Sequence, residues 1–292
     1  MSDDAEGQHI RAHREFFRDV LEGVHKVMAE RFRLSDVTIR PIGSGGSRLS
    51  IPVVIQGSNE KGQEVRYFGK IMGSSDLLTA RTIQFFKNVF LQVNSMDPMF
   101  EVTKSAEDMA RHQHEMLVAI NKLGIPTAKP YGFYPLNADI WLLVAEYLDA
   151  HPISSIEDLS SENLDAVFGY LKRMHDNGIF HGDIKPDNLM LGDVVYIVDV
   201  GHFMKDVPTA QKKAYDLACQ IASFLDYLPP DEIVSIARRH YSGKELRAAA
   251  EYIDLVQSRM DINFDDETKK SLLRLMRSKI GLRGSKKSLG RS

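Results

Sequence analysis

With 43% hydrophobic side chains in 292 residues, the chain can bury sizeable cores, as one large domain or as two lobes around a cleft, and disorder is excluded as its general state. A formal charge of −3 leaves no global field to recruit nucleic acid or an anionic membrane, and no clear nucleic-acid site is visible; any basic contact is local. A single cysteine, Cys219, excludes an internal disulfide framework and suits a reducing cytoplasm, the acidic stretch 1–7 lacks secretory character, and no run of 18 apolar residues offers a membrane span.

The first 36 residues form an expected helical extension. Phe16, Phe17, Val20, Leu21, Val24, Val27, Met28 and Phe32 recur at three- and four-residue spacing, so an amphipathic helix over 10–34 is expected to pack on the first lobe. That lobe spans 37 to 148. Val37–Ile42, Ser50–Gln56 and Val65–Met72 read as an antiparallel meander of three strands. The first connection, Gly43-Ser44-Gly45-Gly46-Ser47, has no Cβ at three positions, so its backbone N–H groups can lie over phosphates. Lys70, a charge within the apolar run Tyr67-Phe68-Gly69-Lys70-Ile71-Met72, is expected to pair with the α- and β-phosphates of a nucleotide.

An insert over about 74–100 is too apolar for a free loop. Its segment 78–93, with Phe85, Phe86 and Phe90, reads as an amphipathic helix covering one edge of the first lobe, with peripheral membrane contact as the lesser reading. Ala106–Leu123 is the next helix, stopped by Gly124 and Pro126. It offers Glu115 as the partner of Lys70, although the usual spacing would put the acid nearer Gln113. Asp139–Leu148 is a buried strand ending in Glu146-Tyr147-Leu148, where a chain passing between lobes can bind adenine through its backbone; Glu146 and Leu148 are the candidates. The second lobe, 149–280, is mostly helical: Ser161–Gly178, Thr209–Leu225, Pro230–His240, Gly243–Met260 and Asp266–Lys279. Residues 281–292 form a basic tail.

The residues with the most chemistry are His181-Gly182-Asp183-Ile184-Lys185-Pro186-Asp187-Asn188, followed after a short strand, 194–198, by Asp199-Val200-Gly201. Phosphoryl transfer needs its reactants held in line and the charge on the phosphate oxygens neutralised. Asp183 suits a base that orients and deprotonates a hydroxyl, and Lys185 can meet the γ-phosphate. Asn188 and Asp199 offer the hard oxygens that Mg2+ takes when it bridges phosphates. His181 reads as a brace for the loop. Together these point to an ATP- and Mg2+-dependent phosphotransferase, since the joint spacing is far more specific than any single aspartate.

Over about Val37–Leu225 the sequence resembles the protein-kinase-like superfamily, in the atypical branch that includes RIO kinases and bacterial lipopolysaccharide kinases. The resemblance implies an α+β, bilobal protein-kinase-like fold, with an antiparallel-sheet N-lobe and a mostly helical C-lobe. It makes Lys70 the lysine of the third strand, Gly43, Gly45 and Gly46 part of the phosphate loop, and Asp216 the buried aspartate that braces the catalytic loop. The departures bear on the acceptor. Arg48 replaces the last glycine of the phosphate loop, Gly182 replaces an arginine that in many kinases pairs with a phosphorylated loop, and only 202–208 separate the metal triplet from the next helix, with no Ala-Pro-Glu. Lys185-Pro186 favours a serine/threonine protein kinase. Gly182 and the missing peptide platform favour a small-molecule, sugar or lipid-headgroup kinase. The imperfect phosphate loop leaves a nucleotide-binding scaffold or ATPase as the third reading.

Overall fold

The computed structural model describes residues 3–42, 50–73, 98–101, 105–259 and 261–278, with the side chains of the first helix described from Arg18 onward. The glycine-rich segment Gly43, Ser44, Gly45 and Gly46, the 78–93 stretch of the insert and the 281–292 tail lie outside the described residues. The fold is α+β, and the chain divides into two compact units: Met1–His151 with Leu191–Met204, and Pro152–Met190 with Lys205–Ser292.

The first unit is built on a five-stranded antiparallel sheet in the order β1-β2-β3-β5-β4. Its strands are β1 (Ser35–Pro41), β2 (Ile51–Ser58), β3 (Glu64–Met72), β4 (Pro130–Pro135) and β5 (Trp141–Glu146). The first three match the expected meander closely. Strand β4 lies outside the expected set: two prolines bound it and Gly132 interrupts it, which weakens its β pattern and suits the sheet edge it occupies. Helix α1 (Asp3–Phe32) lays Val20, Val24, Val27 and Met28 on one face of the sheet, against Val53, Ile55, Ile71, Leu142 and Val144. Alternation along β5 sends Leu143 to the other face, where it packs with Met72 and with Ala106, Ala110 and Leu117 of α2 (Ala106–Lys122). Lys70 stands opposite Leu143 in the β3–β5 ladder, so it shares the α2 face. Its neighbour Gly69 faces α1, and a Cβ there would come within 2.8 Å of both Ile55 Cδ1 and Val53 Cγ2.

The second unit is helical: α3 (Ser161–Asp176), α4 (Thr209–Ser223), α5 (Pro230–His240), α6 (Gly243–Ala250), α7 (Ile253–Gln257) and α8 (Asp266–Arg277). From Ala214 to Ser223 every residue of α4 is buried, as befits a helix with neighbours all round it. Expected as one helix over 243–260, α6 and α7 are separate, broken at Glu251–Tyr252; Leu246, Ala249, Ala250, Ile253 and Val256 are all buried, so the apolar spacing runs through the break and hides it. The termini are capped locally. Ser242 and Glu245 make a capping box, Asp265 accepts from Thr268 N, and Arg238 Nη2 donates to the Leu275 and Ser278 carbonyls at the end of α8. Short strands β6 (His151–Pro152), β7 (Leu189–Leu191) and β8 (Val195–Ile197), with single 3-10 turns at Ile153–Ser155 and Pro186–Asn188, complete the described elements. Among the described residues no helix is long and apolar enough to cross a membrane.

Met28 has no exposed surface, and Met28→Ala is expected to destabilise the first unit by about 2–5 kcal/mol through the cavity it opens. The exposed Glu22, paired with Arg18, is expected to tolerate alanine within about 0.5 kcal/mol. Urea unfolding of the two variants checks both values.

Candidate active site

In the first unit, the chain around Asp199 is fixed from both sides. Ile197, at the end of β8, donates its N–H to the Pro126 carbonyl at 2.9 Å and accepts from the Thr127 hydroxyl at 2.6 Å. After it, Gln113 of α2 holds the Val200 backbone twice: its Nε2 donates to the carbonyl at 2.5 Å and its Oε1 accepts from the amide at 3.3 Å. His112 Nε2 donates to the Gly201 carbonyl at 2.7 Å. Between these anchors Asp199 adopts φ 52°, a left-handed conformation that costs a non-glycine residue roughly 1–2 kcal/mol and is held by the surrounding bonds.

Lys70 meets Asp199 Oδ1 at 2.5 Å, its side chain 13% exposed against 43% for the aspartate. Glu115, expected as the partner of Lys70, is exposed on α2, and the structure does not bring the two together. Position 113, where the usual spacing calls for an acid, carries the amide that grips Val200. Beyond β5, Glu146 is exposed and its own N–H is given to the Lys129 carbonyl at 2.8 Å, so its amide is committed within the sheet. Leu148 is half-buried.

His112 stacks on His202, ring centroids 4.0 Å apart, while His202 Nε2 faces Glu101 Oε2 at 3.4 Å. Burial, and then the like charge of His202, push the His112 pKa down to about 4, against the opposing pull of the Gly201 carbonyl and Glu101.

The second unit holds the loop 181–188. Asp216 of α4, fully buried, accepts from His181 N at 2.7 Å and from Gly182 N at 2.8 Å. It also faces His175 Nε2 of α3 at 3.2 Å, whose Nδ1 meets the Tyr241 hydroxyl at 3.1 Å. Burial, and then nearby carboxylates led by Asp216, raise the Tyr241 hydroxyl far above the usual phenol range, so it serves as a donor. Gly182 has φ 76°, the left-handed turn that lets consecutive amides aim at one carboxylate. His181 Nδ1 accepts from Asp183 N at 3.3 Å, which is bracing of the loop.

Asp183, Lys185 and Asn188 come together in this unit. Asn188 Nδ2 donates to the Asp183 carbonyl at 2.7 Å and reaches its Oδ2 at 3.3 Å, so its amide nitrogen is turned toward Asp183. Lys185 Nζ lies 3.8 Å from Asp183 Oδ2 and 3.2 Å from Asp261 Oδ2. Burial works against the Lys185 charge, but the two carboxylates raise its pKa above the ordinary lysine value. Arg259 Nη2 donates to Asp183 Oδ1 at 2.9 Å. Neither Arg259 nor Asp261 carries a sequence motif; each lies more than 70 residues after the loop and reads in the sequence as an ordinary surface charge.

Among the described residues no three His, Cys, Asp or Glu side chains cluster to hold a metal alone. Mg2+ is commonly held by one or two protein oxygens together with phosphate oxygens and water. Asp199 in the first unit and Asn188 in the second each carry an oxygen of that kind, and taken singly each fits such a ligand.

No family model matches the chain. Among curated proteins it is similar to an Aurora kinase of Saccharomyces cerevisiae, 24% identical over an alignment of 136 residues that covers 43% of this chain and 34% of the relative. It is also similar to serine/threonine-protein kinase D of Synechocystis, 33% identical over 100 residues, 32% of this chain and 17% of the relative; each match thus covers a minor part of a longer kinase. Among solved structures it is similar to a protein named as a fructosamine-3-kinase from Haemophilus somnus, at 12% identity over 89% of this chain and 97% of that one with a TM-score of 0.48. The kinase domain of PknI from Mycobacterium tuberculosis is 16% identical over 83% of this chain and 96% of that one, with a TM-score of 0.44. Each of these similarities is to a protein named as a kinase.

The depressed His112 has a consequence for stability. The unfolded chain binds this proton with the ordinary pKa of 6.5 and the folded one at about 4, so the stabilisation is complete above pH 6.5 and is lost as pH falls through that window toward 4. Between pH 7 and 5 the wild type is expected to lose about 2 kcal/mol more than His112→Asn, read from urea unfolding at the two pH values.

Proposed function

We propose that this protein-kinase-like chain is an ATP-dependent phosphotransferase with a hydroxyl acceptor, and that it works as an atypical serine/threonine protein kinase. The observation that carries the reading is the loop 181–188, where Asp183, Lys185 and Asn188 form one hydrogen-bonded and ion-paired set on the buried Asp216. Asp183 is the base for the acceptor hydroxyl. Lys185, two residues on, steadies the γ-phosphate as charge develops on it. Asp199 and Asn188 would hold Mg2+, which when bound offsets the negative charge of the phosphates. Lys70 supplies the charge for the α- and β-phosphates and holds Asp199 in the meantime. The lysine at 185 and the match to serine/threonine kinases support the finer reading.

A second reading, a small-molecule kinase, is favoured by one feature: α4 starts at Thr209, directly after 202–208, so no long segment follows the metal triplet to dock a peptide.

Asp183→Asn is expected to lower phosphate transfer from γ-labelled ATP about 10²–10⁴-fold while leaving Mg-ATP affinity near that of the wild type. Equal transfer by the two proteins would end the enzymatic reading. Incubation of the pure protein with labelled ATP and a lysate divided by size separates the acceptors: label in the macromolecular fraction is expected, and label only in the small-molecule fraction would exclude the protein-kinase reading.

A further inference from the structure

The charge that touches the base comes from outside its own loop. Arg259, on the segment between α7 and α8, has a side chain only 5% exposed, and every N–H of its guanidinium is directed at a partner. Nε donates to Asp261 Oδ1 at 2.9 Å and Nη2 to Asp261 Oδ2 at 2.7 Å, a bidentate pair. Nη2 also donates to Asp183 Oδ1 at 2.9 Å. Nη1 donates to the Tyr215 hydroxyl at 3.1 Å and to Cys219 Sγ at 3.6 Å, both on α4. A fork engaged at all five hydrogens offers nothing to an incoming ligand, so it acts on the residues it already holds.

Its effect on Asp183 is directional. Oδ1 is taken by Arg259, while Oδ2 faces Lys185 and Asn188. Asp261 repeats the device for the lysine, since the carboxylate held by Arg259 also lies 3.2 Å from Lys185 Nζ. Burial opposes the charge on Asp261, but the hydrogen bonds and charge of Arg259, with Lys185, bring its pKa down to about 2. Burying an arginine is costly unless its partners are fixed, and here the partners are the functional loop on one side and α4 on the other.

We propose that Arg259 is a positioning residue for phosphoryl transfer: it fixes Asp183 so that Oδ2 takes the acceptor proton, and through Asp261 it sets where Lys185 stands. This rests on the phosphotransferase reading. In that reaction the acceptor O–H proton passes to Oδ2, the acceptor oxygen forms the new bond to the γ-phosphorus, and ADP leaves with the electrons of the bond that breaks.

The test uses the full chain, with water as the acceptor and release of labelled phosphate from γ-labelled ATP as the readout. Arg259→Ala is expected to lower kcat about 10²-fold, the size of effect that a misplacement of about 1 Å can produce, with the KM for Mg-ATP unchanged. Added guanidinium chloride, entering the space left by the side chain, is expected to restore part of the loss. Arg259→Lys keeps the charge without the planar fork and is expected to fall between the two, and it serves if the alanine variant does not fold. Asp261→Asn is expected to show a smaller loss. In a crystal of either Arg259 variant the Asp183 carboxylate is expected to have turned away from its wild-type position. Unchanged kcat, a loss carried entirely by KM, or an Asp183 carboxylate that stays in place would overturn the proposal. A wild type that passes label neither to water nor to either lysate fraction would instead defeat the phosphotransferase reading, while the position of Asp183 in the variant crystal would still decide whether Arg259 holds it.

Discussion

A buried carboxylate, that of Asp216, sets the path of the loop on which the second unit depends. It stands on a helix surrounded by others and takes two consecutive backbone amides, His181 N and Gly182 N, together with the His175 ring, which is in turn bonded to Tyr241. A buried acceptor of this kind is costly when unmatched and rigid when matched. The loop therefore has one place to be, and Gly182, at φ 76°, is the residue that lets it reach there. From that fixed point His181 receives the Asp183 amide, and Asn188 ties back to the Asp183 carbonyl. Asp183 and Asn188 are thus tied into the loop through the Asp183 backbone.

The first unit solves a related problem with different parts. Asp199 sits in a conformation that an L-residue avoids, and it stays there because Pro126 and Thr127 hold the strand before it while Gln113 and His112 hold the two residues after it. Helix α2 is thereby fastened to the triplet Asp199-Val200-Gly201 through an amide and an imidazole. Lys70 is carried to the same face of the sheet by the alternation of β3, and its ion pair is with Asp199. The tie between α2 and the triplet does not pass through that lysine, whose carboxylate partner among the described residues is Asp199.

Much of this is legible in the sequence, because local spacing carries it. The three-strand meander, the apolar stripe of the first helix and the 181–199 motif are all short-range patterns, and the structure has the strands and helices they predict. The sequence is silent where a contact joins distant residues or where a pattern has two readings. Strand β4 is obscured by its prolines, and the break between α6 and α7 by apolar spacing that runs straight through it. The choice of Glu115 depends on which face of α2 meets the sheet, and the structure presents Gln113 and His112 to the triplet instead. Arg259 and Asp261 have no local signature, because their contact with the loop depends on the chain folding back across the 76-position separation of Asp183 and Arg259.

The central proposal is that Asp199, held beside Lys70, serves to bind a metal with the nucleotide. Calorimetric titration of ATP with Mg2+ and with EDTA, on the wild type and on Asp199→Asn, tests it most directly. The account predicts that Mg2+ tightens ATP binding to the wild type and that the asparagine variant loses this dependence. An equal response to Mg2+ in both proteins, or none in the wild type, would contradict it.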